Sequence, residues 1–242
     1  KDATDRNRTS PFAFTGNKFE FRMVGSTQSI SDPNVVLNTI VADVFADVCD
    51  RLEKVEGGVE AVAMEAHEIT KELLTQHQRV IFNGNGYSDE WVAEAERRGL
   101  PNIKCMVDAV PALVKPEAVE IFEKHGVYTK AEMESRAEVM YETYAKTINI
   151  EALTMIDMAK KQIVPATIKY QTSLAESINA IKTASSAVDT SVQEALTADI
   201  SVNLKAMYGA LAHLEEVTNK AEEMEEGAEQ GHYYHDVVFA AM

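Results

Sequence analysis

A predominantly helical α+β fold, with one short antiparallel β-hairpin leading into a long-helix bundle, is what the 242-residue sequence predicts. Strict period-2 alternation is confined to residues 18–23, while apolar residues at helical spacing recur through most of the chain beyond residue 34. Two of those stripes run for about 35 residues each, on the order of 50 Å at 1.5 Å per residue, longer than a compact layer needs.

The hairpin runs from Arg8 to Phe14, turns at Thr15-Gly16-Asn17 and returns from Lys18 to Met23. Phe19, Phe21 and Met23 share one face, and Lys18, Glu20 and Arg22 share the other. Pro11 has no amide donor, so the first strand belongs at an edge or a bulge. Asp32-Pro33 then opens a helix, with the carboxylate as N-cap and proline in the first turn. Leu37, Ile40, Val41, Val44, Val48, Leu52 and Val55 carry it to Gly57-Gly58. A second helix is expected from about Val59 to Gln76. Residues 79–87 read as a short strand and a glycine turn, leading into a helix near Asp89–Arg98.

From Thr129 the chain reads as long helices. Thr129 with Glu132, and Ser191 with Glu194, have the spacing of capping boxes, which satisfy orphan amides at a helix start. Met133, Ala137, Met140, Tyr144, Ile148, Leu153, Ile156 and Ile163 form the first stripe, which Pro165 should kink or end. Leu196, Ile200, Leu204, Met207, Leu211, Val217 and Met224 form the second, up to Gly227. Such helices must bury their stripes against each other, which predicts an antiparallel bundle. The expected organisation is residues 1–56 as one unit carrying the hairpin, 57–128 as a mixed helical region with a strand and glycine turn, and 129–242 as the bundle.

Twenty-three basic and 39 acidic side chains give a formal charge of −16. That argues against nucleic-acid binding, which needs clustered basic charge. The first 34 residues depart from the trend, with five basic side chains (Lys1, Arg6, Arg8, Lys18, Arg22) against four acidic ones (Asp2, Asp5, Glu20, Asp32). An anion would be handled there. Cys49 and Cys105, the two cysteines, suit a reducing, cytoplasmic setting and have no zinc spacing. No apolar run approaches the roughly 20 residues that span a bilayer, so no membrane partner is expected. The abrupt polar start, with Lys1 in place of an initiator methionine, reads as part of a longer protein.

Few residues point to chemistry. Gly84-Asn85-Gly86 lacks the Gly-Lys-Ser/Thr of a phosphate loop and is explained by turn chemistry. His232 and His235 are spaced i, i+3 but have no third ligand nearby. Glu222, Glu223, Glu225 and Glu226 read as a solvated helix end. The constellation that remains is Asn7-Arg8-Thr9-Ser10 beside Phe19-Glu20-Phe21-Arg22. Period 2 puts the Glu20 carboxylate and Arg22 guanidinium on one face, about 7 Å apart along the strand, within reach of Arg8. Two readings fit: a structural ion-pair cluster, or a site with a hard carboxylate for a divalent cation and two guanidiniums for carboxylate and phosphate oxygens.

Asn-Arg-Thr-Ser-Pro-Phe-Ala-Phe, then Phe-Glu-Phe-Arg, then Asp-Pro-Asn opening a helix resembles the C-terminal part of the glutamine synthetase catalytic domain. The general family pattern covers about residues 5–56. The likeness to the type III bacterial branch extends through residues 80–91 (VIFNGNGYSDEW) and the long helices, over nearly the whole chain. The resemblance implies ATP-dependent ligation of ammonia to L-glutamate through a γ-glutamyl phosphate, assisted by Mg²⁺ or Mn²⁺, in a ring-shaped homo-oligomer. By motif position it implies Glu20 as a metal ligand, Arg22 as the holder of the substrate carboxylate and Arg8 as the group that stabilises the transferring phosphoryl. Ala13 stands where the family has a second arginine that contacts nucleotide phosphate, and the remaining ligands are expected upstream. The competing expectation is a non-catalytic helical assembly or regulatory domain with the hairpin as a remnant.

Overall fold

The computed structural model describes residues 12–14, 18–22, 25 and 28–242. Among these the fold is predominantly helical, with one two-stranded antiparallel sheet, as the periodicity predicts. The chain falls into two compact units. One comprises residues 1–104 and 115–130, and the other residues 105–114 and 131–242.

In the first unit β1 (Phe12–Phe14) pairs with β2 (Phe19–Phe21) in the register Phe12 to Phe21, Ala13 to Glu20 and Phe14 to Phe19. Phe12 stacks on Phe19 at 5.2 Å and meets Phe21 edge-on at 6.1 Å. These three rings remain about half exposed or more, whereas Ala13 on the opposite face is buried. Helix α1 (Ser31–Leu52) begins two residues before Pro33. Asp32 is thus inside the first turn, where its charge complements the helix dipole, rather than at the N-cap position held by Ile30. Gly57 and Gly58, at φ of 116° and 81°, turn the chain into α2 (Val59–Gln76), a conformation an L side chain resists. Arg51 ties α1 to α2 through Glu65 and Glu72, both at 2.6 Å.

The strand expected in residues 79–87 is absent. Gln78–Val80 form a single 3₁₀ turn, and the segment beyond it is irregular up to α3 (Asp89–Arg97). Three consecutive apolar residues, Val80, Ile81 and Phe82, are too short a run to hold a strand with no sheet edge beside it. Helix α3 ends in a Schellman pattern: the amides of Gly99 and Leu100 donate to the carbonyls of Glu96 and Ala95, with Gly99 at φ 71°. Helix α5 (Pro116–Lys124) packs on α1, where Asp43 accepts from Lys124 at 2.8 Å and lies 2.9 Å from the His125 ring nitrogen.

In the second unit the short α4 (Met106–Ala109) precedes α6 (Lys130–Met158) in chain order. Pro165 does not end the long helix. Residues Ala159–Ile163 widen into a π turn, in which the Val164 amide donates to the Ala159 carbonyl, and α7 (Val164–Ala184) continues. The wider turn takes up the clash that the proline ring would make in an α-helix. Helix α8 (Ser191–Glu222) returns antiparallel: Lys182 meets Glu194, the Gln171 amide donates to Ser201 at 2.9 Å, Lys160 meets Glu215, and Asn149 donates to Glu222 at 3.0 Å. Its N-cap is Thr190 and not Ser191. The hydroxyl of Thr190 donates to Glu194 at 2.8 Å, while Asp189 accepts from the Ser191 amide at 2.9 Å. The final helical stretch runs through α9 (Ala228–Tyr233), a π turn (Tyr234–Val238) and α10 (Phe239–Ala241).

The core of this unit is a three-helix seam. Ala145, Ile148, Ala152, Ile156 and Ala159 meet Leu211, Leu214, Val217 and Ala221, with Tyr234 and Val238 closing the third side. The predicted stripe is one position out in places. Tyr141, Ala145 and Ala152 are buried, whereas Leu153 and Ile163 are exposed by more than 40 %. No described helix is long and apolar enough to cross a membrane.

Candidate functional site

Strand β2 and the residues flanking it present Lys18, Glu20 and Arg22 beside the covered face of the hairpin, because alternate residues of an extended chain point the same way. The Arg22 guanidinium donates to Glu20 Oε2 at 2.6 Å, and Lys18 Nζ lies 3.7 Å from Oε1. Both members of the close pair are about one-third exposed, so the pair is neither solvent-stripped nor fully screened. Arg22 is held above the ordinary guanidinium range, mainly by its hydrogen bond to Glu20, with a smaller contribution from the Tyr87 phenol. The structure thus brings Glu20 and Arg22 together. Arg8, with Asn7, Thr9 and Ser10, lies outside the described residues.

Tyr87 was not singled out in the sequence. It comes from the Gly84-Asn85-Gly86 turn, which is fixed locally. Asn85 Oδ1 accepts from the Tyr87 amide at 3.1 Å, the Ser88 amide donates to the Asn85 carbonyl at 3.3 Å, and Ser88 Oγ caps α3 by accepting from Trp91. Phe82 stacks on Trp91 at 4.0 Å, and a Cβ on Gly84 would come within 2.6 Å of the Phe82 ring. Gly84 therefore serves a tight, ring-covered turn, as the turn reading expected. The signal available in the sequence was an aromatic residue immediately after an Asn-Gly turn, but nothing local says where its ring points.

Among the described residues no group of three or more His, Cys, Asp and Glu side chains could hold a metal ion. His235 pairs with Asp236 at 2.7 Å, and His232 lies 3.8 Å from Asp108. Glu20 offers one hard carboxylate, already engaged by Arg22. Taken alone these residues fit one corner of a divalent-cation site and not a complete one, since such ions take six or more oxygen ligands. Cys49 is exposed. The Cys105 thiol donates to Asp108 at 2.9 Å and is pushed up by burial and by that carboxylate, which leaves it a poor nucleophile.

Residues 65–182 match the family model described as glutamine synthetase C-terminal domain. The whole chain is 39 % identical to a glutamine synthetase of Butyrivibrio fibrisolvens, covering 34 % of that protein. Over 75 % of its length it is 42 % identical to a type-3 glutamine synthetase of Dictyostelium discoideum, covering 24 % of that protein. Over 98 % it is 32 % identical to a glutamine synthetase of Bacteroides fragilis, covering 33 %. The chain therefore spans about a third or less of the length of the curated relatives it matches.

Proposed function

The chain belongs to the glutamine synthetase family, and from that premise we propose that it supplies one strand of the active site, and a helical appendage, to a type III enzyme that ligates ammonia to L-glutamate at the expense of ATP. The observation that carries this reading is the Glu20–Arg22 pair: a carboxylate and a forked guanidinium on one face of β2, 2.6 Å apart.

In the complete enzyme the Arg22 fork receives the substrate carboxylate in a bidentate arrangement, which fixes the orientation of glutamate. Glu20 would offer an oxygen ligand to Mg²⁺ or Mn²⁺, with Lys18 Nζ 3.7 Å from the same carboxylate. The divalent ion supplies charge neutralisation for the phosphoryl group when bound. Arg8 is assigned the transferring phosphoryl, where a guanidinium stabilises charge that develops only in the transition state. Ala13, buried opposite Glu20, has no group to offer nucleotide phosphate, so ATP is held by other residues. The ligands for the rest of the metal shell and for ammonium come from the remainder of the protein. Its setting is the cytoplasm, and the long helices contribute to contacts in a homo-oligomeric ring.

Two measurements test this. The 242-residue chain alone should form no glutamine from ATP, glutamate and ammonia, because a site assembled from several segments loses its positioning when most are missing. In the full-length protein, Glu20→Gln should raise the metal concentration needed for activity. Wild-type metal dependence in that variant would leave the hairpin as a structural remnant of a non-catalytic helical domain.

A further inference from the structure

In a chain of net charge −16, basic side chains gather in one open groove of about 820 Å³ formed within the first unit by α2, the 3₁₀ turn and α3. Lys71, Arg79, Arg97 and Arg98 line it, and Glu94 is the one carboxylate among its lining residues. That carboxylate is already occupied. It accepts from Arg97 at 2.7 and 2.6 Å and from Arg98 at 2.5 Å. Two guanidiniums on one carboxylate leave excess positive charge, to which Arg79 adds its own, since it pairs with no carboxylate among the described residues. Among the described residues the ion pair of Lys71 is with Glu68 at 3.2 Å, more than half exposed and therefore easily exchanged.

The groove is also pre-organised. Arg98 donates to the backbone carbonyls of Arg79 at 3.3 Å and Ile81 at 3.0 Å, and its guanidinium lies 5.2 Å from the centre of the Trp91 ring. These contacts fix the 3₁₀ turn against α3, so the Arg79 side chain is presented over the groove from a clamped backbone. A helix-end role explains Arg97 and Arg98, whose charges complement the C-terminus of α3. It does not explain Arg79 or Lys71, which come from other elements. Leu74 and Ile81 add apolar surface between the cations.

We propose that this groove binds a small phosphorylated metabolite, its phosphate oxygens taken by Arg79, Lys71 and Arg97 and its organic body resting on Leu74 and Ile81. Forked guanidiniums match phosphate oxygens, and the volume lies within the range of small-ligand sites. The site stands independently of the assignments made to Glu20 and Arg22.

The test is isothermal titration of the folded 242-residue chain, at low ionic strength and without divalent metal, with ATP as the organic phosphate and pyrophosphate as the inorganic one. ATP should bind, and pyrophosphate should bind more weakly because it lacks a body to cover Leu74 and Ile81. The double variant Arg79→Ala, Lys71→Ala removes two exposed side chains and should keep its circular dichroism, while ATP affinity falls by about tenfold or more. Arg79→Lys should lie between. Lys205→Ala, on α8, makes the same change in charge as Lys71→Ala and should bind like the wild type. Absence of ATP binding, equal loss in the Lys205 control, or undiminished affinity in the double variant would overturn the proposal; equal binding of both probes would remove the organic body from it and leave a plain phosphate site.

Discussion

Arg22 and Glu20 show why residue identity matters more than charge on β2. Arg22→Lys keeps the positive charge but loses the planar fork, so in the full-length enzyme the KM for glutamate should rise by about tenfold, with a smaller change in kcat. Steady-state kinetics at saturating ATP reads this split, and an unchanged KM would return the pair to a purely structural role. Glu94 is a second test at this scale. Arg97 and Arg98 hold its carboxyl down to about 2, well below its ordinary value of 4.5. A depressed carboxylate stabilises the fold above its unfolded pKa and loses that contribution as pH falls through the folded value. Thermal melts of the wild type and Glu94→Gln should therefore differ from neutral pH down to about 4.5 and converge as pH approaches 2. Arg97 is well exposed and Glu94 and Arg98 remain about a quarter exposed, so the difference should be small and salt-sensitive.

At the scale of single elements, close helix approach rests on small residues rather than on large ones. Gly231 faces the Tyr141 ring and Val107, and a Cβ there would stand 3.0 Å from the ring and 3.4 Å from the valine methyl. Gly231→Ala should gain helix propensity yet lose about 1–3 kcal/mol net to overpacking, measurable by urea denaturation. Stabilisation instead would mean that the tyrosine ring can shift freely. Gln230 works in the same helix by donating from its side-chain amide to the Ala221 carbonyl at 3.0 Å, so a buried polar residue satisfies an orphan group at the end of α8. Pro165 permits an opposite expectation. It sits inside a continuous helix that has opened into a π turn around it, so Pro165→Ala should restore a donor and raise the melting temperature.

For the whole molecule, the apolar surface left uncovered is extensive. Ile150, Ile163, Tyr170, Val192, Val202 and Tyr208 are exposed by 46–68 % along the long helices. Leaving such surface wet forfeits about 25 cal/mol per Å². Deleting residues 129–226 from the full-length protein should therefore reduce the number of subunits in the assembly, as light scattering would detect once the shorter chain is allowed for, while residual activity per folded subunit should show no specific chemical step abolished. An unchanged number of subunits would remove these helices from the subunit contacts; loss of one step in a correctly assembled deletion would extend the active site into them.

Local periodicity determined a good deal here. The bounds of α2 at Val59–Gln76 and the extent of α3 were legible because a helix depends on spacing and on residues within a turn of its ends. The shared face of Glu20 and Arg22 was legible for the same reason, since strand period 2 is a property of the backbone alone. Tertiary structure decided what depends on a neighbour. Ala145, Ala152 and Ala221 are buried while Leu153 is not, because a three-helix seam selects side chains by the space available and not by hydrophobicity. Pro165 stays inside its helix because the π turn Ala159–Ile163 beside it accommodates the ring. Tyr87 reaches Arg22 across 65 residues of sequence, and the basic groove gathers cations from three elements whose side chains carry no common spacing. Contacts of that kind are set by how the elements pack, which no local pattern encodes.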